Sequence, residues 1–264
     1  MALARTPVVL SFDLDGETLW TARDPKNENL PVTLSQGTYG PKRGAPRLMD
    51  LMDRHGIKVT FFVPGKTVER YPAVIKEIVA RGHEIGAHGY HHIWPDQCTP
   101  EQDREEMERG IEAIRRVAGV DPLGYRSPAW EFGSLTMQLL VEKKMLYSTN
   151  FMDDDAPYIH PNGIVELPVQ WYLDDAPFAL YSARIPGRQI HPPSSVEEIW
   201  REEFLAMYEE SKPLVLTMHP QLSGHAFRVR LLERLIRFMK GFPGVEFQTC
   251  AQIARRVREQ GGWW

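Results

Sequence analysis

The chain has 264 residues and a mass of 30.3 kDa, with 42% hydrophobic and 25% charged residues, a composition that excludes disorder, collagen and coiled coil. A chain of this length buries on the order of 75% of the surface its unfolded form exposes, so it needs no metal or disulfide merely to stay folded. The formal charge of -4, from 31 Lys+Arg against 35 Asp+Glu, gives no electrostatic footprint for nucleic acid or an anionic membrane.

The first segment reads MALARTPVVLSFDLDGE. Its apolar run Val8-Val9-Leu10 is broken by Ser11, Asp13 and Asp15, too early for a signal-peptide core or a membrane span. With only Cys98 and Cys250 present, no disulfide framework is readable. The sequence therefore reads as a cytoplasmic protein with reduced thiols. Candidate strands cover 7–12, 58–63, 84–87, 124–126, 146–149, 164–169, 214–218 and 245–248. Between them lie helical stretches at 46–55, stopped by Gly56, and at 71–81, stopped by Gly82. A longer helix runs over 100–118, with Thr99 as N-cap and Pro100 in the first helical position. Apolar spacing at three and four residues predicts further helices at 195–210, 227–240 and 250–260. The segment 19–45 is long, polar and rich in Gly and Pro, and reads as a loop forming a rim or lid over a site. The chain ends in Gly261-Gly262-Trp263-Trp264, and two terminal Trp residues predict a tail that docks on the body or on another subunit.

Strand–helix alternation without a linker or repeat predicts one α/β domain over 1–264. At this length a (β/α) barrel fits best, with an open doubly wound sheet as the alternative. Either fold places chemistry at the C-terminal ends of its strands. Asp13 and Asp15 end the first strand, and residues two apart share a face, so both carboxylates enter one volume. There they repel unless a cation or proton intervenes; the plainer reading is an Asp-rich turn. Four of the nine histidines fall between His83 and His92. His88 and His92, four apart in a turn opened by Gly86 and Gly89, are placed to converge on one ion, although such a pair alone is more often structural. With Asp15 they make a two-His, one-carboxylate set. His91 and His83 read as bystanders, His83 within strand packing.

Arg126, in GYRSPAW, is placed to hold a carboxylate such as Asp13 by a bidentate pair, with Trp130 walling the pocket. As a lone arginine it would instead be a structural ion pair. His219 ends an apolar strand in PLVLTMHP, where a ring titrating near neutrality can protonate a leaving nitrogen. Asp174 and Asp175 are candidates to orient His219 or Arg126. Asp153, Asp154 and Asp155 read as a solvated loop. Gly65-Lys66-Thr67 lacks the earlier glycine of a phosphate-binding loop, because Thr60 stands there.

Taken in order, FDLDGE, HGYHH, RSPAW, LPVQWYLDD and LTMHP resemble the five motifs of the polysaccharide deacetylase (NodB-homology) family. The resemblance is greatest to its leaderless branch of peptidoglycan-deacetylase-like proteins, cyclic imide hydrolases and metal-free allantoinases, which the stretch from Gly37 to Gly65 also resembles. It implies a distorted (β/α) barrel of about seven strands, so one of the eight candidate runs lies outside it. It also implies Asp13 as catalytic base, Arg126 as its tether and His219 as catalytic acid. Asp15, His88 and His92 would bind one divalent metal: zinc first, with cobalt, nickel or manganese as alternatives. The backbone N–H of Ala129 would hold the oxyanion, with Trp130, Asp174 and Asp175 around the substrate.

The implied reaction is metal-assisted hydrolysis of a non-peptide carbon–nitrogen bond, in an amino sugar or a small linear or cyclic amide. Two departures favour a small substrate: no export signal is read, and motif four is WYLDDAP where exported members carry D-x-x-D-W. A homo-oligomer without nucleic-acid or membrane partners is expected. Against the metal-free branch, all three ligands are present here. The rivals are a haloacid-dehalogenase-type phosphatase, with Asp13 as nucleophile in VVLSFDLDG, and a non-catalytic carbohydrate- or metabolite-binding barrel.

Overall fold

A computed structural model describes residues 6–183, 185 and 187–263. Nine strands join one sheet: β1 (Thr6–Asp13), β2 (Thr60–Val63), β3 (Glu84–Ala87), β4 (Gly124–Tyr125), β5 (Tyr147–Ser148), β6 (Tyr158–Ile159), β7 (Val165–Glu166), β8 (Leu214–Met218) and β9 (Val245–Phe247). Their order is β6-β7-β5-β4-β3-β2-β1-β8, with β9 pairing separately with the start of β1. From β7 to β8 every pairing is parallel, giving the seven-strand wall of a distorted (β/α) barrel. β9 is the eighth candidate run, off the main path. β6, antiparallel to β7, was too short to leave a period in the sequence. The wall does not close by a ladder: the segment after β7 meets β8 at an isolated bridge between Asp174 and Thr217.

The alternation of β1 sorts the core into two layers. Val8, Leu10 and Phe12 pack outward against the helices, while Val9 joins an inner cluster with Phe62, Tyr147, Val165 and Val215. Ser11 and Asp13 continue the Val9 face, so the barrel interior is apolar at the strand starts and polar at the strand ends. The helix Cys250–Gln260 covers the apolar end with Cys250, Ile253, Ala254 and Val257. Its first turn is tied down by Glu84, whose carboxylate accepts from the Ala251 N–H (3.0 Å), the Tyr147 hydroxyl (2.8 Å) and the Thr60 hydroxyl (2.8 Å). An acid at a helix N-terminus suits the helix dipole. Trp263 lies against this inner cluster with Nε1 donating to the Ser211 carbonyl at 3.3 Å, so that residue docks on the body. Trp264 lies outside the described residues.

The helix Pro100–Ala118 has the predicted start, with a reciprocal Thr99–Gln102 capping box, and Gly119 stops it at φ 71°. The stretch 71–81 forms the helix Pro72–Ala80 with Tyr71 and Arg81 as its caps; a further helix, Gly65–Arg70, precedes it and the two meet at Tyr71 (φ -126°), because the residue before a proline is pushed out of the helical region. The main correction concerns 19–45, which is not a loop. It holds the turn Thr18–Thr21, the helix Pro31–Tyr39 and a wider turn Gly40–Gly44 that runs into the helix Ala45–His55. Its glycines mark close contact rather than chain reversal. A Cβ on Gly37 would stand 2.3 Å from the Gly16 carbonyl oxygen, and one on Gly44 2.0 Å from that of Pro220. Leu19 and Arg23 still reach the mouth of the barrel. No helix among the described residues is long and apolar enough to cross a membrane.

Candidate active site

The polar strand ends open into a cleft of about 340 Å³ lined by Asp13, His88, His92, Ala129, Trp130 and His219, among others. β1 delivers Asp13 and then turns at Gly16 (φ 60°), and Thr18 and Thr67 donate to the Asp15 carbonyl at 2.7 and 2.6 Å. That clamp sends the Asp15 side chain inward, where it is fully buried. Its Oδ1 lies 3.4 Å from His88 Nε2 and 3.6 Å from His92 Nε2, and has no hydrogen-bond partner. Its Oδ2 accepts from Gln221 Nε2 at 3.1 Å. His88 Nδ1 lies 2.7 Å from the Arg126 carbonyl; since a carbonyl only accepts, Nδ1 carries the proton and Nε2 presents its lone pair to Asp15. His92 sits at φ 66°, a left-handed conformation rare outside glycine. Burial pushes its pKa down to about 4 against the pull of Asp15. Burial would raise the Asp15 carboxyl, but the rings of His92, His88 and His219 hold it well below the usual range. Asp15, His88 and His92 thus offer three ligand atoms within 4.8 Å of one another.

Arg126 is completely buried and gathers the second carboxylate. Its Nη1 donates to Asp13 Oδ1 (2.7 Å) and to the Ser11 hydroxyl (2.9 Å), and Nη2 to the Thr149 hydroxyl (3.2 Å). The expected bidentate pair is therefore corrected: one prong holds Asp13 while the rest of the guanidinium ties β1 to the strand ends around it. Asp13 Oδ2 stays open, 3.9 Å from His88 Nε2.

Across the cleft, His219 Nδ1 lies 2.7 Å from Asp175 Oδ1, and its Nε2 is 3.8 Å from Asp15 Oδ2. Asp175 also accepts from the His219 N–H and from the Ser223 hydroxyl, so it is committed to His219 and faces away from the cleft. Only Asp174 of this pair lines the cleft. Burial pushes the Asp174 carboxyl well above its usual range, with His219 opposing and Asp175 adding. Burial would lower His219, but Asp174 and Asp175 hold its ring well above its ordinary value. Of the two residues expected around a substrate, Asp175 is thus hydrogen-bonded to His219, and Asp174 borders the open space. Ala129 (φ 57°) and Trp130 (φ 62°) form a left-handed turn after β4. Strain of about 1–3 kcal/mol per such residue persists where the surroundings fix it, often at functional sites. It places Ala129 on the cleft and Trp130 against Trp171, ring centroids 4.3 Å apart.

A solved Mycobacterium smegmatis structure assigned to the polysaccharide deacetylases is 38% identical, with a TM-score of 0.94 over 100% of this chain and 94% of that one. The chain belongs to the polysaccharide deacetylase family. The model of that family, described as "Polysaccharide deacetylase", matches residues 33–147. Among curated relatives of this deacetylase-family chain, a "Peptidoglycan deacetylase" of Helicobacter pylori is 28% identical across 94% of both chains. A solved allantoinase, 24% identical with a TM-score of 0.86, shares the fold. The family is one of carbon–nitrogen hydrolases, which displaces the phosphatase and non-catalytic readings.

Several neighbours of this deacetylase-family site were not foreseen. Gln221, Trp94, Trp171, Arg23 and Arg188 carry no spacing signal, and Arg23 fell in the segment read as a loop. Gln221 alone had a cue, two residues after His219. His91 pairs with Glu106 at 2.7 Å, away from the cleft, and buried His83 accepts from the Val59 N–H, as bystanders should.

Proposed function

We propose that the protein is a metal-dependent hydrolase of small linear or cyclic amides. The observation that carries this reading is the convergence, in one walled cleft, of Asp15–His88–His92, of Asp13 on Arg126 and of His219 on Asp175. The three ligand residues fit a divalent ion: they are buried, close together, and include an Asp15 oxygen without any partner. An imidazole and carboxylate donor set suits zinc first, with cobalt, nickel or manganese as alternatives. A divalent ion held there supplies Lewis-acid activation of the amide carbonyl and of water.

The chain's own groups then have separate tasks. Asp13, aimed by its hydrogen bond from Arg126, takes the proton of the attacking water through its open oxygen. The Ala129 N–H supports the negative charge that develops on the carbonyl oxygen. His219, held by Asp175, gives its proton to the departing nitrogen, which leaves as amine while the acyl carbon becomes a carboxylic acid. Trp130, Trp171, Ala176 and Leu180 wall the cleft at a size that suits a small molecule better than a polymer. N-deacetylation of an amino sugar is the second reading, favoured by the near full-length similarity to the H. pylori deacetylase.

The test is a zinc-, cobalt-, nickel- or manganese-loaded enzyme given N-acetylglucosamine oligomers, succinimide, dihydrouracil and allantoin. Acetate release or ring opening is expected, lost with a chelator and in His88→Ala. Turnover that survives both would overturn the metal-dependent reading.

A further inference from the structure

Two arginines stand together at the mouth of the cleft, Arg23 from the segment after β1 and Arg188 from the segment after β7. Neither forms an ion pair among the described residues: Arg188 Nη1 donates only to the Ala176 carbonyl at 3.3 Å, and the Arg23 guanidinium lies over the Trp94 ring at 5.8 Å. Loss of solvent and the Arg188 cation hold Arg23 below its ordinary pKa, opposed by Asp15. Two guanidinium groups in one cleft that repel each other, neither paired with an acid, are unfavourable unless an anion joins them. Asp96 and Glu131 also line the cleft, but both are exposed on its rim and neither is within ion-pairing distance of either arginine. Leu19, Leu180 and Leu222, packed in one cluster, give the same cleft an apolar wall.

A ligand matching this arrangement has an amide at one end, an apolar middle and an anion at the other. Resting on the hydrolase reading above, we propose that Arg23 and Arg188 form a carboxylate subsite, so that the preferred substrate is a small amide or imide that also carries a carboxylate. The planar guanidinium offers paired N–H donors that match two carboxylate oxygens. A neutral amide of the same shape would leave the two cations unpaired.

The test uses the full-length, zinc-loaded protein and two matched pairs: dihydrouracil against its 6-carboxylate, and N-acetylglucosamine against its 3-O-lactyl derivative. The carboxylated member is expected to win by about tenfold or more in kcat/KM, mainly through KM, with the preference shrinking as salt rises. Arg23→Gln and Arg188→Gln should each reduce that preference about tenfold, without a change in melting temperature. Calorimetric titration of the carboxylated compounds, of succinate and of inorganic phosphate reads the subsite independently of turnover. Equal kcat/KM within both pairs, a preference indifferent to both substitutions, or binding of phosphate but of no carboxylate overturns the proposal. Hydrolysis of neutral amides without carboxylate binding defeats the subsite and leaves the hydrolase reading standing. Arginine-dependent carboxylate binding with no amide turned over does the reverse.

Discussion

Two carboxylates buried in the same barrel are treated in opposite ways. Glu166, on β7, is fully buried, and all its oxygens are occupied: Oε1 accepts from the Asn150 and Phe151 N–H groups at 2.6 and 3.1 Å, and Oε2 pairs with His160 at 3.0 Å. Asp15, equally buried at the other side of the mouth, keeps one oxygen with no partner among three histidine rings. Because a buried polar atom without a partner costs stability, burial alone says little about role. Glu166 is satisfied within the fold, whereas Asp15 keeps an oxygen free, which suits the ligand role proposed for it.

The comparison can be broken by experiment. The largest effect is expected at Asp13, where Asp13→Asn should lower amide turnover by about three orders of magnitude, the middle of the range for loss of a general base; stopped assays on metal-loaded protein with melting curves alongside decide it. Asp15→Asn should weaken zinc binding by about a hundredfold while leaving the metal-free protein as stable as before, read by competition titration and denaturant unfolding. Glu166→Ala should do the opposite. It strands two buried N–H groups, each worth about 1–3 kcal/mol, and so should lower unfolding free energy by about 2–6 kcal/mol with unchanged metal affinity. If Glu166→Ala weakens metal binding, or Asp15→Asn destabilises the metal-free fold, the distinction fails. Gln221→Leu, which frees the other Asp15 oxygen, should cost about tenfold in zinc affinity.

The smallest effect concerns His83. Burial pushes its ring well below the ordinary histidine value, down to about 4, and it accepts from the Val59 N–H, a bond only the neutral ring can make. Since the unfolded chain takes up the proton first, stability is fully present above about pH 6.5 and is lost as pH falls toward about 4. His83→Leu should flatten that part of the melting-temperature profile. An unchanged slope would place the acid sensitivity elsewhere.

Much of this was legible because the chemistry sits at strand ends, which sequence marks twice, by an apolar run and by the polar residue that stops it. Asp13, Arg126 and His219 each follow such a run. Capping residues were equally readable, as at Thr99 and Gly119. What sequence hid depends on packing at a distance. The glycines of 19–45 look like loop residues until the carbonyls of Gly16 and Pro220 are seen pressed against them. Arg23 and Arg188, 165 positions apart in the chain (188 minus 23), meet only once the segments after β1 and β7 have folded over the same cleft. The single-pronged hold of Arg126 on Asp13 is likewise visible only in three dimensions, where Nη1 is shared with Ser11 and Nη2 turns to Thr149.

The placement of β1 also sets an order of assembly. This first strand pairs with β2 on one edge, but its other partners are β8 and β9, and the Ser11 hydroxyl reaches the Leu216 carbonyl across 205 positions. On a ribosome, β1 therefore waits with hydrogen-bonding groups exposed until nearly the whole chain has emerged. The apolar end of the barrel stays uncovered until the final helix arrives. Such long-range closure slows folding and leaves an edge open to other chains. Nascent chains stalled before Leu214 should be captured by holding chaperones, and those released beyond Gln260 should not.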